Sequence, residues 1–264
     1  MKDEMESLNI NKTWSEICLV PNGRQCVGTK WVFKIKRDEN GAIIRYKARL
    51  VALGYLQREG RDFTETFSAV LQTSLLRMLF AHGAKRDLEM EQIDFKTAFL
   101  NGGIDCEIYV RLPDGSTRRL QKGIYGLKQA GRLWSIKLHK SLIALNFKRC
   151  QSDPCCYIMQ NSSTLLILIV HVDDCIIFGS DKAQIATLKV NLKKEYSITD
   201  LGPVKHVLGW EVRRDRVKRT LTINQHQYRL DVIKKFAPGI RVEQVPARPD
   251  VTFSKAQSPS NNLE

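Results

Sequence analysis

Two consecutive aspartates, Asp173 and Asp174, follow an apolar, strand-like run from Leu165 to Val172. Carboxylates desolvated at a sheet edge are costly unless cations offset them. Neighbouring strand residues point to opposite faces, so one of the pair would face a site directly. A solvated β-turn would use the same Asp-Asp pair, and the pair alone leaves both readings open. Asp94 adds a second acidic strand end, with an aromatic residue at Phe99 shortly after it. Oxygen donors from two strand ends suit hard divalent cations. Two magnesium ions about 3.5–4 Å apart could activate an attacking hydroxyl and stabilise a leaving phosphate.

The elements that must position these carboxylates follow from periodicity. Leu165 to Val172 and Cys175 to Phe178 read as two strands joined by the acidic turn, and a further strand runs through Met90 and Ile93 to Asp94. A helix capped by Thr73 or Ser74 carries Leu75, Leu76, Leu79 and Phe80 on one stripe, with Gly83 as its stop signal. A second helix, from about Ala130 to Leu145, places Trp134, Leu138, Leu142 and Leu145 at helical spacing. A third turns Ile185, Leu188, Leu192 and Tyr196 inward, and a last one spans Tyr228 to Phe236. Gly102-Gly103 and Pro113 punctuate an extended, looped stretch. Helices and strands alternate without βαβ regularity, so the fold class is α+β.

Nearer the start, Trp31, Phe33 and Ile35 alternate with Lys34 and Lys36, and Asn40-Gly41 is a hairpin turn signal. On the return strand Ile44, Tyr46, Ala48 and Leu50 share an apolar face, opposite Arg45, Lys47 and Arg49. This basic ribbon belongs to a chain of 264 residues with 42 basic and 28 acidic side chains, a net charge of +14. Such an excess favours a polyanionic partner, because each neutralised phosphate releases counterions. A merely soluble basic protein would share the composition. The longest apolar run is too short for the roughly 20 residues of a membrane span, so no membrane partner is expected. Seven cysteines without metal-ligand spacing point to reduced thiols and a cytosolic or nuclear setting. Arg248 to Glu264, rich in Pro, Ser and Asn, has the composition of a disordered tail.

Several longer motifs carry a specific resemblance. WVFKIKRDENGAIIRYKARLVALGY, QIDFKTAFLNG, IYGLKQAGRLW, VHVDD, DLGPVKHVLG and VLGWEV occur in the order and spacing of the reverse transcriptase of Ty1/copia-type retrotransposons. The match runs from about Met5 to Pro246. The resemblance implies a right-hand polymerase, with fingers mainly in 1–85, a palm in 86–104 and 131–215, and a return to the fingers in 105–130. The start of a thumb or connection would fall in 216–247 and the tail in 248–264. It implies an RNA-directed DNA polymerase that adds deoxynucleoside triphosphates to a primer 3′-hydroxyl on an RNA or DNA template. Two Mg²⁺ ions, or Mn²⁺ in their place, would be held by Asp94, Asp173 and Asp174.

By the same resemblance Phe99 stands where an aromatic excludes a ribose 2′-hydroxyl, and Gln129 where a residue lines the incoming nucleotide's site. Lys36, Arg37, Lys47 and Arg49 resemble the basic residues that meet triphosphate and template. Leu208, Gly209 and Trp210 match the loop that grips the primer. Read without the family, Phe99 and the tryptophans Trp31, Trp134 and Trp210 are packing residues, Gln129 is a helix-entry residue, and Lys189, Lys193 and Lys194 are a solvated helix face. The chain departs from the family at His171, where tyrosine is usual, at Ala69, where proline is common, and in a shortened Pro113–Gly123 stretch. Protease, integrase and ribonuclease H regions are absent from the sequence, as expected of an excised or decayed piece of a polyprotein. A non-catalytic nucleic-acid-binding relic is therefore the alternative to an active enzyme.

Overall fold

The structure is a computed structural model that describes residues 1–37, 42–162, 164–237, 239 and 254, with the side chains of Lys36 and Arg37 outside that description. Its centre is a six-stranded antiparallel sheet in the order β11-β4-β10-β9-β8-β7. These strands are β4 (Glu89–Phe95), β7 (Lys148–Arg149), β8 (Cys156–Gln160), β9 (Leu165–His171), β10 (Asp174–Gly179) and β11 (Ile198–Pro203). Because strand side chains alternate, the sheet has two apolar faces and each demands a cover. Ile93, Phe95, Cys175 and Ile177 point to one face. There they pack beneath Trp134, Leu138 and Leu142 of α3 (Ala130–Ala144) and Ile185, Leu188 and Leu192 of α4 (Lys182–Lys193). Met90, Ile176 and Phe178 point to the other. They meet Leu76, Leu79 and Phe80 of α2 (Thr73–Lys85) together with Val207, Trp210 and Val212. Each such large apolar side chain contributes about 1.5–3 kcal/mol on full burial, so the six-stranded layer is held on both sides.

A five-stranded sheet in the order β1-β6-β5-β2-β3 forms the other large layer. Its strands are β1 (Trp14–Ile17), β2 (Cys26–Arg37), β3 (Ile43–Ala52), β5 (Tyr109–Arg111) and β6 (Thr117–Leu120), and α1 (Lys2–Ile10) packs Leu8 into its core. A three-stranded sheet of β12 (His206–Val207), β13 (Trp210–Asp215) and β14 (Thr220–Asn224) leads to α5 (His226–Phe236), which buries no side chain. The chain is thus α+β, as its pattern indicates.

Several expectations need correction. The β2–β3 ribbon forms with Trp31 opposite Leu50, Phe33 opposite Ala48 and Ile35 opposite Tyr46, but its apolar face is covered only at the base. Leu50 is buried, whereas Phe33 and Tyr46 are 67% and 71% exposed, because the outer half projects beyond the sheet's core. The Asn40-Gly41 turn and almost all of the 248–264 tail lie outside the described residues. Gly83 does not stop α2, which continues to Lys85. Its missing Cβ instead makes room for the sheet, since a Cβ there would stand 2.4 Å from Met90 Cε. Lys189 is not a solvated residue: it is 5% exposed and bridges Glu91 of β4 and Asp200 of β11, at 2.6 Å from the latter. The stretch read as looped contains β5 and β6.

Candidate active site

Asp174 heads β10 directly opposite Asp94, the penultimate residue of β4, while His171 ends β9 opposite Asp174. Val172 and Asp173 are therefore the two central residues of a tight β9–β10 hairpin. Phe95 N–H, at the end of β4, donates to the Asp173 carbonyl at 2.8 Å and ties the hairpin tip to the neighbouring strand. Asp94 and Asp173 consequently border one cleft, of about 600 Å³. Asp174 is not among its lining residues; its carboxylate accepts a hydrogen bond from Gln92 Nε2 at 3.1 Å. Asp174, in register with Asp94, shares its face of the sheet, whereas Asp173 lies in the turn itself.

Val172 has φ +58°, and Asp173 has no positive φ. Positive φ at the first central residue alone is the II′ class of two-residue hairpin, where that position belongs to glycine. A β-branched residue there is a genuine outlier, of the kind that costs on the order of 1–3 kcal/mol and persists where surrounding structure over-determines it. Trp134 Nε1 donates to the Val172 carbonyl at 2.7 Å.

The cleft is also bordered by the β2–β3 ribbon. Lys34, Arg45, Lys47 and Arg49 all border it, together with Asp3 and Glu4 of α1. Lys34 and Lys47 stand directly opposite each other across the ribbon. Arg49 lies over the Tyr125 ring, with Cζ 4.4 Å from its centroid. Burial pushes the Tyr125 phenol above its ordinary value, although the Arg49 charge opposes this. Tyr125 also makes an edge contact with Phe99, the ring centroids 5.1 Å apart. Glu4 of α1 reaches the same ribbon, its carboxylate accepting from Leu50 N–H at 3.3 Å.

Lys47 and Arg49 thus join Asp94 and Asp173 at the cleft, while the side chains of Lys36 and Arg37 lie outside the described residues. Phe99 is half-buried where two cores meet and lines a smaller apolar cavity beside the cleft, with Trp134, Val170 and Val172. Gln129 is fully buried: its amide donates to the Asp62 carbonyl at 2.7 Å and accepts from Gln57 Nε2 at 2.9 Å. The IYGLKQ segment is fixed by a backbone contact, because Gly126, at φ +90°, would place a Cβ 2.2 Å from the Ala52 carbonyl. Leu208 and Gly209 form the two-residue turn between β12 and β13, both with positive φ. Trp210 is buried under Arg77. Sequence reasoning missed the reach of Arg45, Lys34 and Tyr125 to the cleft. The alternation of the ribbon and the IYGL motif were the available signals.

Among the described residues no group of three or more His, Cys, Asp or Glu side chains is arranged as a metal site. Magnesium in phosphoryl-transfer sites uses one or two carboxylates plus substrate phosphates and water, not an all-protein cage. Asp94 and Asp173, hard oxygen donors bordering one cleft, suit that mode of binding.

The comparisons with known proteins agree on a class. The family of reverse transcriptases (RNA-dependent DNA polymerases) matches residues 11–242, and the chain belongs to it. The chain is similar to the retrovirus-related Pol polyprotein from transposon TNT 1-94 of Nicotiana tabacum, with 40% identity over 245 residues, 89% of this chain. It is 32% identical over its full length to the corresponding polyprotein from transposon RE1 of Arabidopsis thaliana. In both cases it spans 18% of the relative's length. These are copia-type plant transposons, as the motifs indicate. A foamy viral protease–reverse transcriptase solved with double-stranded DNA aligns over 89% of this chain and 37% of its own, at 12% identity and a TM-score of 0.49, too loose a likeness to bear on the fold. No helix among the described residues is long and apolar enough to cross a membrane.

Proposed function

We propose that this chain is an RNA-directed DNA polymerase core that adds deoxynucleotides to a primer 3′-hydroxyl. The observation that carries the reading is the convergence of Asp94 and Asp173, from a strand end and a hairpin turn, on a cleft that Lys34, Arg45, Lys47 and Arg49 also border. Family membership supports the reaction class. Phosphoryl transfer depends on positioning and charge neutralisation more than on covalent chemistry, and this arrangement supplies both. Asp94 and Asp173 would hold the divalent ions, which when bound activate the hydroxyl and stabilise the leaving pyrophosphate. Arg49, stacked on Tyr125, would receive the triphosphate, with Lys47, Arg45 and Lys34 neutralising further phosphate charge. Tyr125, kept protonated by burial, can donate a hydrogen bond to the same ligand. Phe99 would meet the sugar from the adjoining cavity. Gln129 would act by bracing Gln57 and Asp62, which support this corner of the cleft.

In this reading the six-stranded sheet is the palm and the β2–β3 ribbon the fingers. The packing of α2 against Met90 and Phe178 supports assigning that helix to the palm as well. Leu208, Gly209 and Trp210 would form the primer-contacting turn, and 216–247 the start of a thumb. The test is primer extension by the purified chain on an RNA template with a DNA primer. Extension that requires Mg²⁺ or Mn²⁺ is expected. Template–primer binding without extension at any concentration of either ion would assign the chain to the non-catalytic relic.

A further inference from the structure

We propose that Trp134 is a positioning residue for the reaction, its indole N–H holding the catalytic hairpin in a conformation that aims Asp173 into the cleft. The inference rests on the polymerase reading and names a residue that no motif role covers. The carbonyl of Val172 and the N–H of Asp173 belong to one peptide plane. Trp134 Nε1 grips that plane at the carbonyl, 2.7 Å away, and Phe95 N–H grips the next carbonyl, of Asp173, at 2.8 Å. Two donors from different elements thus fix the backbone on both sides of the Asp173 Cα. Packing of Val172 alone does not do this work, because the residue is 44% exposed. Nor does local preference, because φ +58° is foreign to valine.

The donor itself is rigid. Trp134 is 2% exposed, and its ring meets Phe95 and Tyr196 edge-on at centroid distances of 5.1 and 5.5 Å. Phe95 follows Asp94 in β4, so one packed cluster sets the position of both cleft carboxylates relative to each other. Without the indole donor the peptide is free to rotate toward an ordinary turn, and Asp173 turns with it. A misplacement of about 1 Å costs up to about 100-fold in rate when reacting groups must be aligned.

The decisive variant is Trp134→Phe, which keeps an aromatic ring and removes the N–H. Single-turnover nucleotide incorporation by the folded protein should slow by about tenfold or more, with nucleotide KM and template–primer affinity near wild type; the smaller ring lowers the melting temperature, so rates are taken well below it. The same substitution on a Val172→Gly background should cost much less, since glycine adopts positive φ without strain. Wild-type incorporation by Trp134→Phe, or an equal loss on both backgrounds, would overturn the inference. Failure of the unsubstituted chain to extend any primer would instead overturn the polymerase reading. The hydrogen bond is then still read from the indole ¹⁵N–H signal that Trp134→Phe deletes: slow solvent exchange supports the inference, and exchange as fast as an exposed indole refutes it.

Discussion

Strand β4 carries Glu91 and Asp94, three residues apart and on opposite faces of the same sheet. Glu91 points under α4, where Lys189 is buried between it and Asp200 of β11. Burial pushes the Asp200 carboxyl up, but hydrogen bonds from Lys189 and Gly202 N–H hold it below its ordinary value. Asp94 lies at the other face and borders the cleft with Asp173, Lys34, Arg45, Lys47 and Arg49. The first cluster is closed by a cation buried within the fold, and its charges are committed. The second set of charges borders an open cleft of about 600 Å³, within the usual range of about 300–1,000 Å³ for ligand pockets. Similar residues on one strand thus meet different surroundings, Glu91 a buried ion pair and Asp94 an open cleft at the strand's end.

The sharpest way to break this contrast is to neutralise the cleft carboxylates. Asp94→Asn or Asp173→Asn should lower primer extension by at least about 100-fold, the scale of losing a principal electrostatic group, while template–primer binding persists. Asp174→Asn, whose carboxylate accepts from Gln92 Nε2, should be milder. Extension by Asp94→Asn at the wild-type rate would erase the distinction between the two clusters.

The opposite substitution, Lys189→Met, should act on stability. Leaving Glu91 and Asp200 without their buried cation should cost about 3 kcal/mol, read as a lower urea midpoint, while the residual folded protein retains its incorporation rate. The pH dependence follows in sign. A carboxyl held below its ordinary value adds stability above the unfolded pKa, about 3.9. That stability is lost as pH falls through the lower folded value. Asp200→Asn should therefore flatten the acid limb of the stability curve below about pH 4, and an unchanged limb would remove Asp200 from the pair.

Arg45, Lys47 and Arg49, all changed to Gln, should weaken template–primer or nucleotide binding. The slope of log K against log salt should flatten by up to about 0.9 per lost duplex phosphate contact. An unaltered slope with unaltered nucleotide KM would mean that these cations are only solvated surface.

The smallest effect is expected at Phe99. Phe99→Val should admit ribonucleotides more readily, by roughly a factor of ten, the scale of a shape change in an apolar pocket. Undiminished sugar discrimination in single-nucleotide incorporation would leave Phe99 as a packing residue between the two cores.

What sequence could reveal divides along the same line. The acidic hairpin was legible because an apolar run flanks it, and α3 and α4 because their stripes repeat at helical spacing. Alternation also gave the ribbon its two faces, but it does not specify what covers a face, and the outer apolar half is exposed. Lys189 read as solvated because its partners sit on strands 98 and 11 residues away. The burial of Gln129 depends on Gln57 and Asp62, and the role of Trp134 on a carbonyl 38 residues distant. Periodicity does not encode such pairings. The strain at Val172 is likewise invisible, since nothing in VHVDD announces a glycine-type turn.

The central claim is that divalent ions sit between Asp94 and Asp173. It is tested most directly by replacing Mg²⁺ with Fe²⁺ in the complex with template–primer and nucleotide, then adding peroxide and ascorbate so that radicals cut the chain near the bound metal. The account predicts cleavage at two places, the end of β4 around Asp94 and the hairpin around Asp173, both suppressed by excess Mg²⁺ and lost in Asp94→Asn. Mg²⁺-sensitive cleavage confined to other segments, with neither of these cut, would contradict it.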